Sequence, residues 1–313
     1  MSFRICLWVV GWCSLFTLAS CRSFRPNALS ASTVSYCVPS IQYAYDSAYL
    51  PKPTIQTILQ ADTLLTQRYS QHDLLLANAI GVLPLLQELI LLEKHPIADN
   101  QVTLLRIRQK ILNRFLLAST QIASLAAELD CEGERADQIA TYLDQRDTQR
   151  IRRLTILSIV IGAATTVATT LLTSDNTSKV IGISGGIVGA GFGGLAAFSS
   201  NRTVSFHHQR NLLTDIWRQS DSSSMYPPMI WYILNEKSFS NTHQFSLHYT
   251  IRERWKNYVL GPLSPEQEQL YFGEGGNYQA DDLHNRANML NQLQSSVRSI
   301  NQDLQSLAIT LAN

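Results

Sequence analysis

Apolar residues recur every three or four positions in two long stretches of the chain, and this spacing predicts two long amphipathic helices. The first begins after Asp99 or Asn100, and its stripe comprises Leu104, Ile107, Ile111, Phe115, Ala118, Ile122, Leu125 and Leu129. The second begins near Asp281, and its stripe comprises Leu290, Leu293, Val297, Ile300, Leu304, Leu307 and Leu311. Because Gln, Asn, Ser and Arg fill its other faces, the second helix has a coiled-coil-like seam. We expect it to pack along the first helix or along a neighbouring subunit.

Two further helices are predicted ahead of these. Thr54 can cap one whose apolar positions are Ile55, Ile58, Leu59, Leu64 and Leu65. Residues 73–94 form the other, which is very apolar. Because it also contains amide and carboxylate side chains, we interpret it as a buried core helix rather than a membrane span. Pro84 should kink this helix.

The first long helix is expected to be interrupted near its middle. Gly133 follows Cys131 and should end the helix there, since glycine is a poor helix former. A fourth helix would then start near Glu134 and stay strongly polar through Arg153.

The charge pattern changes abruptly after Arg153. Residues 154–172 and residues 180–200 contain no charged residue, and the polar stretch Ser174–Lys179 separates them. Each uncharged stretch is close to the length of about 20 residues that crosses the hydrocarbon core of a bilayer. The pattern therefore predicts an apolar helical hairpin over residues 154–200.

Small residues in the second arm of this hairpin follow a regular spacing. One row comprises Gly182, Gly186, Ala190 and Gly194, and a neighbouring row comprises Gly185, Gly189, Gly193 and Ala197. Ser158, Gly162, Thr166 and Thr170 have the same spacing in the first arm. Small residues at this spacing let helices approach closely in lipid, so we assign Gly182, Gly185, Gly186, Gly189, Gly193 and Gly194 to a helix-packing face. The pattern resembles the glycine-zipper hairpins of some small bacterial envelope lipoproteins.

The beginning of the chain has the layout of a secretory signal peptide. Arg4 gives it a positive start, and Ile5–Thr17 is an uncharged apolar stretch that is short for a membrane span. The following Leu18-Ala19-Ser20-Cys21 resembles the lipobox of bacterial lipoproteins. That resemblance implies cleavage before Cys21 and diacylation of its thiol. In enterobacterial lipoproteins, a residue other than Asp after the cysteine, here Arg22, is associated with sorting to the outer membrane. The alternative is an ordinary signal peptide with a chance cysteine.

Two cysteines remain for the exported chain, Cys37 and Cys131. An even pair in an oxidising compartment is a candidate disulfide, which would tie the N-terminal tether to a long helix. The alternative is two unpaired buried thiols, because sequence does not show whether the two Cα atoms lie within bonding distance.

The region after the hairpin is mixed and rich in aromatic residues. The second arm is expected to continue as a polar helix through Arg218, before a Ser/Asp linker. Phe245–Ile251 is a candidate short strand. Ser264 followed by Pro265 and Gln267 predicts a helix start with a capping box. The aromatic residues form either a packed core or a surface that binds a partner.

The composition of the chain favours some classes of function and argues against others. Only 16% of the residues are charged, against about 25% in ordinary soluble domains, which fits a chain that lies partly beside lipid. The formal net charge of +1 argues against nucleic acid as a partner. Among candidate catalytic groups, His72-Asp73 and Glu274 stand out weakly, and His207-His208 lack the spacing of a metal pair. We assign no catalytic, cofactor-binding or metal-binding residue.

The arginines raise a conflict about topology. Arg150, Arg152, Arg153, Arg202 and Arg210 flank the open end of the hairpin, so the positive-inside rule would place that end in the cytoplasm. A lipobox instead sends the chain across the inner membrane. Late insertion from the aqueous side, shielding by other subunits, or contact of the arginines with anionic headgroups would each resolve the conflict. Late insertion would make the layout similar to that of α-helical pore-forming toxins of the hemolysin type.

We therefore expect a mainly α protein, an elongated helical bundle with a coiled-coil-like rod, an apolar hairpin and a small mixed segment rich in aromatic residues. The predicted parts are a signal peptide (1–20), a lipidated tether (21–53), a helical bundle (54–153), the hairpin (154–200), a helix continuation with the aromatic segment (201–278) and the C-terminal helix (279–313). The expected function is that of a non-enzymatic lipoprotein of the bacterial envelope, on the periplasmic face or at the outer membrane. Its expected partners are membrane lipid and either a second copy or a membrane complex. The alternative is a periplasmic or surface helical module that binds a partner and packs the hairpin as core, with an unrecognised enzyme as a third hypothesis.

Overall fold

The predicted mainly α-helical fold is confirmed. A computed structural model describes residues 29–30, 36–39, 45–53, 55, 63–94, 101–171, 175–197 and 202–312. Within these residues the chain forms ten α-helices and three short strands. The signal peptide and Cys21 lie outside the described residues.

The helices differ greatly in length. Three short ones come first: α1 spans Thr63–Arg68, α2 spans Gln71–Ala79 and α3 spans Leu83–Lys94. The longest, α4, spans Gln101–Leu171, and α5 spans Asp175–Ala197. Four short helices follow: α6, Leu213–Arg218; α7, Pro228–Asn235; α8, Leu247–Trp255; and α9, Pro265–Phe272. The last helix, α10, spans Ala280–Ala312. The strands are β1, Leu29–Ser30; β2, Val204–His207; and β3, Gly275–Tyr278.

Helix α4 runs without interruption for 71 residues, so the predicted break at Gly133 is wrong. At a rise of 1.5 Å per residue this helix is about 106 Å long. A Cβ atom at Gly133 would lie 3.0 Å from Asn291 Oδ1 and 3.6 Å from Leu290 Cβ, both on α10. The glycine is therefore explained by close packing of two helices, which outweighs its poor helix preference.

The predicted packing of the C-terminal helix along the first long helix is confirmed. Helix α10 lies against α4, and every residue of its predicted stripe is buried except Leu311, which is partly buried. The two helices are antiparallel, because His284 contacts Asp137 and Asp144 whereas Gln294 Nε2 donates to the Ala126 carbonyl oxygen at 3.3 Å. The hydrophobic seam is thus an intramolecular one.

The apolar segment 73–94 is a core element, as expected, but it bends elsewhere than predicted. Helices α2 and α3 meet at an angle of 119° across residues 80–82. Gly81 lies at the bend with φ 73°, a backbone conformation that glycine adopts without strain. A Cβ there would lie 2.6 Å from the Tyr49 carbonyl oxygen. The kink expected at Pro84 is wrong, because this proline lies in the first turn of α3, where its missing N–H costs nothing.

The region after the hairpin departs from two predictions. The expected helix continuation after residue 201 is wrong, because Val204 and Phe206 are buried on one face of β2 while its other residues point outward. This alternation is the period of a strand. The candidate strand Phe245–Ile251 is also wrong, since α8 covers most of it. The capping box at Ser264 is confirmed, with Ser264 Oγ accepting from the Gln267 amide.

The aromatic residues of this region mainly form core. Trp217 and Phe272 stack with ring centroids 4.2 Å apart, and Trp255 is fully buried. Phe245 and Tyr258 are exposed. The strands form one small sheet in which β2 is parallel to β1 and antiparallel to β3.

Candidate functional site: an exposed helical hairpin

The C-terminal part of α4 pairs with α5 and projects beyond the bundle. Asp147 is the last buried residue of α4, and no described side chain from there to Leu195 is buried. The large apolar side chains that are exposed on the two arms are Ile156, Leu157, Ile159, Val160, Val167, Leu171, Val180, Ile183, Ile187, Val188 and Leu195. The two arms therefore bury little surface other than the surface between them.

The dimensions of the arms are those of a bilayer core. The uncharged part of α4, residues 154–171, is about 27 Å long, close to the hydrocarbon thickness of about 30 Å. Among the described residues, α4 is long and apolar enough to cross a membrane by length and composition. Helix α5 contributes a shorter apolar segment, Val180–Leu195.

Glycines hold the two arms in close contact. A Cβ at Gly185 would lie 2.7 Å from Thr165 Cβ, closer than any real contact between carbon atoms. Ser158 Oγ donates to the Gly189 carbonyl oxygen at 2.9 Å, which crosses directly from side chain to backbone. Only small residues permit helix backbones to approach this closely.

Of the six glycines assigned to the packing face, four lie against the first arm and two do not. Added Cβ atoms at Gly182, Gly185, Gly189 and Gly193 would lie within 4 Å of the first arm. At Gly186 and Gly194 there would be no heavy atom within 4 Å, and the same holds for Gly162 of the first arm. A helix contacts one partner along a narrow seam, and here the seam comprises Gly182 of one row with Gly185, Gly189 and Gly193 of the other.

Arginines surround α4 at the boundary between bundle and hairpin. Arg150, Arg152 and Arg153 are exposed and directly precede the uncharged stretch; we call them the arginine collar. Arg202 Nε lies 3.1 Å from Asp147 Oδ1, which brings the chain that leaves α5 back to the same level. The hairpin therefore begins and ends at one positively charged ring.

A disulfide ties the N-terminal segment to the middle of α4. Cys37 and Cys131 are bonded, with their Cα atoms 5.5 Å apart. Of the two alternatives that the sequence leaves open, the structure has the bonded pair. Cys21, the predicted lipidation site, is not among the described residues.

One buried charge of α4 with a shifted pKa, Glu128, was not predicted from the sequence. Glu128 is buried and lies 3.2 Å from Arg210, and its second carboxylate oxygen has no hydrogen-bond partner in the described structure. Burial raises the pKa of the Glu128 carboxyl to about 7, although Arg210 lowers it and Glu132 raises it further. Glu128 also lines a groove of about 480 Å³ between the Val38–Pro39 segment and α4.

A second buried polar group lies where α10 meets the sheet. Arg286 is fully buried and donates to the Tyr271 carbonyl oxygen at 3.0 Å and to Asn211 Oδ1 at 3.2 Å. His208 Nε2 lies 2.8 Å from the Tyr278 hydroxyl. Burial, with Arg286 and Arg135 nearby, lowers the pKa of His208 well below its usual range, so this histidine is neutral. One feature of the sequence indicates that these groups are buried. Glu128 and Arg286 occur at the spacing of the apolar stripes.

The weak candidates for catalysis are not brought together. His72 lies 3.2 Å from Asp303 rather than against Asp73, whose amide donates to the capping Ser70 Oγ. Burial of the pair is incomplete, and a hydrogen bond to Asp303 raises the pKa of His72. The Glu274 carbonyl oxygen accepts from the His208 amide beside β3. Among the described residues, no group of three or more His, Cys, Asp or Glu side chains is placed to hold a metal ion.

Comparison with known proteins adds no relative. No protein-family model, no curated protein and no solved structure matches this chain.

Proposed function

We propose that this protein is a non-enzymatic lipoprotein of the bacterial envelope whose helical hairpin inserts into a bilayer as a second anchor. One observation carries the proposal. The arms α4 and α5 present large apolar side chains to their surroundings, while no described side chain of either arm is buried beyond Asp147. Leaving a large apolar side chain in water costs roughly 1.5–3 kcal/mol relative to burying it. We therefore expect an apolar surrounding to cover these side chains.

The polar atoms of the arms favour lipid as that cover. A helix satisfies its own backbone groups, which a hydrocarbon surrounding demands. The hydroxyls in the described uncharged stretches are also satisfied within the hairpin. Each donates to a backbone carbonyl oxygen, at Thr155, Ser158, Thr165, Thr166, Thr169, Thr170 and Ser184. These arms would therefore carry few unpaired polar groups into a bilayer.

The lipid expected on Cys21 explains why a second anchor is useful. A single acyl chain gives only marginal, reversible binding, and stable attachment takes two signals. An inserted hairpin would supply the stronger of the two and would keep the long rod in a defined orientation.

Carbonate extraction of membranes tests this proposal. The mature chain with Cys21→Ser, exported behind a leader that is removed without lipidation, is expected to stay in the membrane pellet. Adding Ile159→Asp and Ile187→Asp should release it, because each buried carboxylate costs about 2.5–3.5 kcal/mol at the centre of a membrane helix.

A matched control separates insertion from general damage to the protein. Leu105 and Leu112 are 65% and 63% exposed on the bundle part of α4, as Ile159 and Ile187 are 64% and 67% exposed on the hairpin. Leu105→Asp with Leu112→Asp should leave the Cys21→Ser chain in the pellet. Complete release of the Cys21→Ser chain without further changes would refute the hairpin as an independent anchor.

The open glycines favour self-association as a second property of the hairpin. Gly162, Gly186 and Gly194 present small surfaces that nothing in the described structure covers. In a membrane these would admit a second copy at close range. Gly186→Leu with Gly194→Leu should abolish cross-linked oligomers in detergent, and leakage of a dye from liposomes would distinguish a pore from a static scaffold.

A further inference from the structure

We infer that the two anchors enter the same face of one membrane and that the arginine collar binds the anionic headgroups of that leaflet. This inference rests on the proposed insertion of the hairpin and goes beyond it, because it fixes the direction of the rod and the chemistry of the lipid. It follows from where the structure holds the N-terminal segment.

The small sheet fixes the polarity of that segment. Leu29 pairs with Val204, and β1 runs parallel to β2. Strand β2 leads away from the collar, since Arg202 contacts Asp147 while Arg210 contacts Glu128, further into the bundle along α4. The N-terminal end of β1 therefore lies on the hairpin side of this strand.

The disulfide fixes the same polarity at an independent point. Cys131 lies about 24 Å further from the hairpin than Asp147 along α4, at 1.5 Å per residue. The chain thus reaches the collar level at Leu29 and the middle of the bundle at Cys37. Eight residues span at most about 29 Å, which is enough to cover this displacement.

Chain length then places the lipid within reach of the hairpin base. Cys21 precedes Leu29 by eight residues, a reach of at most about 29 Å. The level of Asp147 is about 10 Å from Leu154, where the uncharged stretch begins. The lipid on Cys21 can therefore enter the leaflet that surrounds the hairpin base, with chain to spare.

The arginine collar lies at the surface of that leaflet. Arg150, Arg152 and Arg153 are exposed and form no ion pair within the described residues. Three cations at the edge of an uncharged stretch match the phosphates of an anionic leaflet. This arrangement removes the conflict with the positive-inside rule, because the arginines stay on the side from which the hairpin enters and never cross.

Vesicle binding by the full mature chain with Cys21→Ser tests the collar. The set Arg150→Gln, Arg152→Gln and Arg153→Gln should bind vesicles of equal phosphatidylcholine and phosphatidylglycerol on the order of 100-fold more weakly than the parent, at about fivefold per arginine. On pure phosphatidylcholine the two should bind equally. The control set Arg106→Gln, Lys110→Gln and Arg298→Gln makes the same charge change at exposed positions far from the collar and should bind like the parent.

Labelling of lysines keeps this test separate from the test of insertion. A membrane-impermeant amine reagent added outside the vesicles should modify Lys110 and Lys237 of the bundle but modify Lys179, near the start of α5, only after permeabilisation. Labelling of Lys179 from outside would refute the insertion. Protected Lys179 with equal binding of the collar and control sets would refute the collar alone.

The lipidated protein tests whether both anchors share one membrane. Vesicles that carry it should not cluster with protein-free vesicles. Clustering would show that lipid and hairpin bridge two bilayers and would overturn the inference.

Discussion

A single methyl group at Gly185 should force the two arms of the hairpin apart. Its Cβ would lie 2.7 Å from Thr165 Cβ, an atom that rotation of the threonine side chain does not move. Normal contact between carbon atoms is about 3.5–4.0 Å, so the helices must separate by about 1 Å. The neighbouring Gly186 is the matched control, because a methyl group there meets nothing within 4 Å.

The expected energies differ in sign between the two variants. Gly186→Ala gains up to about 1 kcal/mol of helix preference without a steric cost. Gly185→Ala has the same gain but adds an overpacking cost of about 1–3 kcal/mol. It also weakens the bond from Ser158 to the Gly189 carbonyl oxygen, which contributes about 0.5–1.5 kcal/mol. The hairpin with Gly185→Ala should therefore be the less stable by about 1–4 kcal/mol.

Hydrogen exchange of the full protein in detergent micelles measures this difference. Backbone amides of α4 beyond residue 153 and of α5 should exchange faster in Gly185→Ala than in Gly186→Ala, with unchanged protection in the bundle. Equal protection of the hairpin in both variants would mean that the arms do not meet along the seam of Gly182, Gly185, Gly189 and Gly193. The assignment of that seam would then be wrong.

Three further predictions concern the bundle. Cys131→Ser should lower the free energy of unfolding by up to about 4–5 kcal/mol in a denaturant titration, since the disulfide links residues separated by 94 positions; the reduced parent protein is the control. Gly133→Leu should cost about 1–3 kcal/mol or more by pushing α10 away from α4, whereas Gly162→Leu, which meets open space, should leave the unfolding midpoint of the bundle unchanged. Because the folded pKa of Glu128 is raised to about 7 from an ordinary 4.5, the folded state holds an extra proton between these values. Stability should therefore fall as pH rises through that window, by up to about 3 kcal/mol, and Glu128→Gln should remove most of the slope.

The amphipathic stripes were the part of the fold that the sequence predicted well. The spacing of Leu290, Val297 and Ile300 reflects one buried helix face, and a single face against a single partner leaves a periodic pattern. The uncharged stretch after Arg153 was predicted equally well, because its length and its lack of charge suffice to define it.

The errors arose where a distant partner decided the local structure. Gly133 was expected to break α4, yet the space beside Asn291 and Leu290 explains the glycine, and neither residue is near it in sequence. Strand β2 contains four residues, too few for a pattern of period two to stand out. Its pairing with β3 brings together residues about seventy positions apart, which only the folded chain reveals.

For the same reason, only the outline of the site could be predicted from the sequence. Two adjacent rows of glycine are equivalent in a sequence, but Gly182 of one row and Gly185, Gly189 and Gly193 of the other face the first arm, whereas Gly186 and Gly194 do not. The division between covered positions and open positions such as Gly186 depends on the direction from which α4 approaches. That direction is set by the bundle at the other end of the same helix.

The continuity of α4 connects the stability of the bundle to the orientation of the hairpin. One helix passes from the core beside α10 into the exposed arm without a turn at which the two parts could pivot. A substitution at Gly133 that moves α10 away from α4 would therefore shift the arginine collar as well, about 30 Å along the helix. If membrane binding of Gly133→Leu were unchanged although the bundle is destabilised, hairpin and bundle would act independently. Because an unbroken helix has no hinge, we expect both to change together.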